Sequence, residues 1–216
     1  MPYSSEQLII FFAFLPVLLA SVIGAIRLKK LNETLRILTY LIFFALIVES
    51  VSRILWLYKI SNLFLWPVYV TVEFGFLIWI YSIELKSGFL MKARIWLITI
   101  FAVYLTYKTF QVSSRINLID NSGRLVESVF LIVIILFYYY KIYVEQSTAN
   151  LWSIPMFCVS TGLLIFFAGN FFIFLFINFI LQYSQKLNYQ IWLIHAFLNC
   201  ILYLIYSFVL WRRQEN

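Results

Sequence analysis

Glu49 and Arg53 stand four positions apart in the run ALIVESVSRILW, so a helix sets a carboxylate and a guanidinium on one face. Glu73 and His195 occur in two other apolar runs, Glu127 lies near the end of another, and Asn170 and Asn199 add amides. Groups of these types can form an ion pair, share a proton, or hold the polar head of a ligand. Inside a hydrocarbon layer each ionisable one costs about 2.5–3.5 kcal/mol on insertion scales, so each needs a partner. Glu73 has no base on its own helix and must draw on Arg53, His195 or a proton.

Helical spacing extends the pattern. Glu49, Arg53 and Trp56 form one stripe, Trp66, Tyr69 and Glu73 a second, and Trp192, His195, Asn199 and Tyr206 a third. Counted at about 1.5 Å per residue from the outer helix ends, Glu49, Arg53, Glu73, His195, Asn199 and Asn170 share one layer roughly 7–16 Å deep. Faces of this kind turn away from lipid. The layer predicts an outward-opening polar cavity with aromatic walls, in which Glu49, Arg53, Trp66, Tyr69, Glu73, Asn170, Trp192, His195 and Asn199 are the candidate ligand-binding residues. The plainer alternative is a set of interhelical hydrogen bonds and one ion pair that fix the packing.

Membrane helices must carry these residues. Of 216 residues 64% are apolar and only 12% charged, which excludes a water-soluble globule. Apolar runs at 7–26, 36–57, 62–83, 93–111, 124–143, 152–181 and 190–211 are, apart from the longer sixth, close to the ~20 residues that cross a bilayer. The expected fold is therefore all-α, a seven-transmembrane-helix bundle forming one domain over 1–216, with no room for a soluble module. The first run is followed, not preceded, by basic residues, the reverse of a secretory signal, and should stay attached. Pro16 is placed to kink it. The sixth run is too long for the hydrocarbon layer; Pro155 suits a first turn, so its helix should begin near Ile154, and Gly162 and Gly169 would admit a close neighbour. The longest loop, 112–123, reads as an outer turn.

Orientation follows from the basic residues. With the N-terminus outside, ten Lys and Arg fall on the cytoplasmic side and six, Arg53, Lys59, Lys108, Arg115, Arg124 and Lys186, on the outer side. This predicts an outer N-terminus and a cytoplasmic C-terminus. Trp56, Trp66 and Trp192 fall near outer helix ends, and Trp79, Trp96, Trp152 and Trp211 near inner ones, as headgroup-level indoles do. The net charge of +7 is scattered over loops and helix ends, so it calls for a bilayer and not for nucleic acid. Cys158 and Cys200 fall inside apolar runs and behave as small hydrophobes.

Several chemistries fail on the residues. A retinal receptor of the rhodopsin type needs a lysine in the last helix, and 190–211 holds none. Seven-helix sugar carriers carry a Pro-Gln dipeptide, absent here, and an odd helix number without an internal repeat argues against inverted-repeat carriers. Intramembrane proteases of the prenyl-protein family combine Glu-Glu-x-x-x-Arg, Phe-x-x-x-His and His-x-x-x-Asn. Glu49-x-x-x-Arg53 and His195-x-x-x-Asn199 resemble parts of that set, but the doubled glutamate and the second histidine are missing. One histidine and scattered carboxylates make a poor metal shell, and no cofactor is implied.

The stretches 65–74 (LWPVYVTVEF), 160–170 (STGLLIFFAGN) and 191–206 (IWLIHAFLNCILYLIY) resemble a family of small bacterial seven-transmembrane-helix proteins with no assigned activity. The resemblance spans the third, sixth and seventh helices. It implies a bacterial inner (cytoplasmic) membrane and a sensor-like size and topology, and it assigns no role to any residue. The expected function is a receptor-like or sensor-like module that binds a small amphiphile or lipid from the outer side and passes a helix shift to a cytoplasmic signalling partner. A proton-coupled carrier or channel subunit using Glu49, Glu73 and His195 is the alternative, followed by an intramembrane lipid-modifying or proteolytic enzyme.

Overall fold

A backbone in hydrocarbon must satisfy its own hydrogen bonds, which leaves apolar runs of this length only the helix. The computed structural model describes residues 9, 12–62, 64–112, 121–145, 150–183 and 185–212. Among these lie seven α-helices, α1 (Leu15–Arg27), α2 (Glu33–Leu57), α3 (Leu65–Glu84), α4 (Gly88–Val112), α5 (Ser122–Val144), α6 (Pro155–Tyr183) and α7 (Gln185–Trp211), with short 3-10 turns at Leu28–Lys30 and Leu151–Ser153. Helices α2 to α7 are each long and apolar enough to cross a membrane, and the chain is an integral membrane protein.

The described part of α1 has 13 residues; the start of the expected first span lies outside the described residues, as does most of the 112–123 loop. Pro16 sits in the first turn of α1 and lacks the N–H that would continue a helix from the preceding residues. The chain accordingly breaks at Ala13 and Phe14 and restarts, with the N–H groups of Val17 and Leu18 both donating to the Phe14 carbonyl. Helix α1 runs alongside α7 in the same direction: Cys200 reaches the Ala13 carbonyl near one end, and Arg27 donates to the Trp211 carbonyl at the other.

Most helices extend beyond their apolar runs because polar residues cap or flank the ends. Asn32 caps α2 by accepting from the Leu35 N–H at 2.9 Å, and this starts the helix before Arg36. At the far end of α2, Lys59 adopts a left-handed φ of 58°, and the N–H groups of Lys59 and Ile60 close back on the carbonyls of Trp56 and Leu55. Helix α6 begins at Pro155, where the missing N–H costs nothing.

Packing joins α1 to α2, α2 to α3, α3 to α5, α5 to α6, α6 to α7 and α7 back to α1, so six helices close a ring. Helix α4 lies outside it, packed chiefly on α3, and turns Trp96 (72% exposed) and Phe110 (74% exposed) outward as a lipid-facing surface does. Gly169 and Gly162 let α6 and α7 approach closely: a Cβ at Gly169 would stand 2.6 Å from Leu198 Cδ1.

The two ends of the bundle differ. The half containing the C-terminal part of α7 is filled by buried Leu38, Ile42, Leu77, Leu163, Phe167 and Tyr206, with Tyr81 bonded to Ser160 at 2.8 Å. The other half encloses a cavity.

Candidate ligand-binding cavity

The cavity has a volume of about 520 Å³ and is walled by five of the ring helices and by Ala13 and Asn62. Helix α2 contributes Val48, Glu49, Ser52, Arg53 and Trp56, and α3 contributes Leu65, Trp66 and Tyr69. Arg124 comes from α5 and Phe166 from α6, while α7 brings Tyr189, Trp192, His195, Ala196 and Asn199. The three helical stripes read from the sequence thus converge on one space, except that Glu73 and Tyr206 do not line it. Trp56, Trp66 and Trp192 line it, so these indoles face the cavity near the helix ends.

Arg53 pairs with Glu49 across one helical turn and also donates to the Glu49 carbonyl at 3.0 Å. Its guanidinium lies 4.6 Å from the centre of the ring of Phe14, in the turn just before α1. Glu49 remains the more accessible partner, 29% exposed against 17% for Arg53.

Two expected site residues stand behind the wall and not in it. Asn170 is buried on α6, where its amide donates to the Phe166 carbonyl at 2.8 Å, so its Oδ1 faces His195 Nδ1 at 2.6 Å. The amide nitrogen is committed, hence Oδ1 must accept and His195 must carry its proton on Nδ1. Nε2 is then the acceptor nitrogen of a ring enclosed by Phe166, Phe174 and Trp192.

Glu73 is the other. Arg53 or His195 was the expected partner across helices, but the structure supplies Arg124, whose Nη1 bonds both Glu73 and, at 2.7 Å, Glu127. Tyr69 adds an O–H donor to Glu73 at 3.2 Å. The Arg124 guanidinium lies 4.9 Å from the Trp66 ring centre and 5.2 Å from that of Tyr69. A carboxylate pair and two aromatic faces therefore hold one buried cation, the arrangement in which a desolvated guanidinium is tolerable.

Sequence reasoning counted Arg124 among the outer-side basic residues, at the first position of the run 124–143, and gave it no partner. The signal was present in Arg124-x-x-Glu127, an i, i+3 ion-pair spacing beside a Glu73 that lacked a base. Around this cluster Arg124 Nε, Glu127 Oε1, Ser128 Oγ and Asn121 Oδ1 are buried without a hydrogen-bond partner among the described residues. No protein-family model matches the chain, and neither does any curated protein or solved structure.

Proposed function

We propose that this chain is a receptor-like or sensor-like binding module of a bacterial inner membrane, with its N-terminus outside and its C-terminus in the cytoplasm. It takes a small amphiphile or lipid into the cavity from the outer side and passes a helix shift to a cytoplasmic partner. One observation carries the reading: charged, amide and aromatic side chains from α2, α3, α5 and α7 face one space, above a half-bundle that is packed. A site of this kind on several ring helices can convert ligand contact into a change of helix packing.

Binding of single-chain amphiphiles to protein in nanodiscs, followed by quenching of the cavity tryptophans, tests the reading; Glu49→Ala or His195→Ala should weaken it on the order of tenfold, and no quenching by any amphiphile would remove it. Reporter fusions at Asn216 and beside Ser87 test the orientation, and both should read as cytoplasmic. Periplasmic signals at both would turn the cavity to the cytoplasm. A proton-coupled carrier is the second reading, favoured by one feature, the excess of carboxylates over guanidinium groups at Glu73, Arg124 and Glu127.

A further inference from the structure

Glu73 on α3 and Glu127 on α5 each place one carboxylate oxygen on the same nitrogen, Arg124 Nη1. The side chain of Glu73 is 6% exposed, that of Arg124 4%, and that of Glu127 is fully buried. Among the described residues no other cation is paired with either carboxylate. Arg53 on α2 is paired with Glu49, and α6 offers only neutral groups here, Asn170 and the Phe174 carbonyl that Asn121 bonds. Helix α7 brings the ring of His195, bonded to Asn170, and the phenol of Tyr203, which bonds Tyr69. Taken as fully ionised, the cluster would hold two negative charges against one positive, away from water. Two carboxylates that share a buried site at this range do not both ionise, and one keeps its proton.

The hydrogen bonds distinguish the two. Glu73 accepts from two donors, Arg124 Nη1 and the Tyr69 hydroxyl, the latter at 3.2 Å. Glu127 accepts from one, Arg124 Nη1 at 2.7 Å from its Oε2, while its Oε1 is buried with no partner among the described residues. Arg124 Nε is also buried and unpartnered, so the guanidinium brings no second donor to Glu127. Donors aimed at a carboxylate hold it in the charged form, and burial without them favours the acid.

We infer that the Glu73–Arg124–Glu127 cluster is a one-proton site: at neutral pH it holds a single proton, on Glu127 Oε1, while Glu73 stays ionised against Arg124. The cluster is then electrically neutral, which is what its place in an apolar bundle requires. A resident proton balances the excess carboxylate, and no transported one is needed.

Infrared spectra of the protein in dodecyl maltoside, a detergent without an ester carbonyl, test this. The wild type at neutral pH should show the C=O absorption of a carboxylic acid, equivalent to one group per chain. Glu127→Gln and Glu73→Gln should each lose it entirely, because the carboxylate that remains in either variant is matched one to one with Arg124. Glu127→Asp should keep the band at a shifted frequency, and Glu73→Asp should leave it in place. The aspartate pair locates the proton and keeps a carboxyl at each position should gel filtration show that a glutamine variant misfolds. A wild type without the band, or a band that survives in a folded glutamine variant, overturns the inference. A band that shifts in Glu73→Asp and not in Glu127→Asp overturns it too, by placing the proton on Glu73.

Discussion

Arg124 on α5 and Glu73 on α3, 51 positions apart, form an ion pair with both side chains almost fully buried, and Glu127 one turn along α5 shares the same guanidinium nitrogen. Arg124→Leu strands two carboxylates in an apolar bundle and should cost about 3–5 kcal/mol, seen as a large loss of thermal stability in nanodiscs. Glu73→Gln should cost far less, because an amide still accepts from Arg124 and Glu127 keeps the charge paired. Arg124→Lys should fail to restore stability, since a point charge cannot lie flat between Trp66 and Tyr69 as a guanidinium does. An Arg124→Leu protein as stable as the wild type would refute the account.

The stripe Trp192, His195 and Asn199 was legible in the sequence because helical periodicity alone decides which side chains share a face. Periodicity cannot say which helices are neighbours, so Glu73 was matched to Arg53 or His195 when its partner sits on α5. The peripheral position of α4 was illegible for a related reason. Its mean hydropathy of 1.6 falls inside the 1.3–2.1 of the spanning helices in the ring, and without a hydrophobic force between helices in lipid, composition does not rank inner against outer helices. The proline was foreseen as a kink inside the first span, and the helix instead restarts at Leu15 just before it.

His195 is the chain's single histidine, so one labelled residue reports the site. In ¹⁵N-histidine spectra the ring should appear as one neutral tautomer with the proton on Nδ1, held by Asn170. Asn170→Leu removes the acceptor; it should give mixed tautomers and a stability loss of about 0.6–1.7 kcal/mol, between the average and the maximum for interhelical hydrogen bonds in membranes. A wild-type spectrum dominated by the Nε2 tautomer would contradict the assignment.

Close approach of α6 to α7 depends on small residues. At Gly169 an added methyl meets the end of a flexible leucine, so Gly169→Ala should be absorbed by a rotamer change of Leu198. Gly169→Leu has no such relief and should destabilise by about 1–3 kcal/mol. Because His195 lies on the same stretch of α7, that variant should also loosen the His195–Asn170 contact, read in the same ¹⁵N spectrum. Equal melting temperatures for the alanine and leucine variants would mean that the helices are not held this closely.

A carrier must open its site to both sides of the membrane in turn, whereas a binding module needs one opening. In this bundle the ionisable side chains of the polar layer lie at the cavity and immediately behind it. Toward the opposite end the path meets Tyr81 bonded to Ser160, Tyr139 bonded to Thr161, and the buried side chains of Leu163, Phe167 and Tyr206. Opening that half would expose Leu38, Ile42 and Leu77 to water and break contacts on several helices at once, which no interruption in α6 or α7 prepares. Proteoliposomes loaded with a pH-sensitive dye should therefore acidify under an imposed proton gradient no faster than protein-free vesicles, and Glu73→Gln should change nothing. Proton uptake by the wild type that disappears in Glu73→Gln would instead make the Glu73–Arg124–Glu127 cluster a proton path and the chain a carrier.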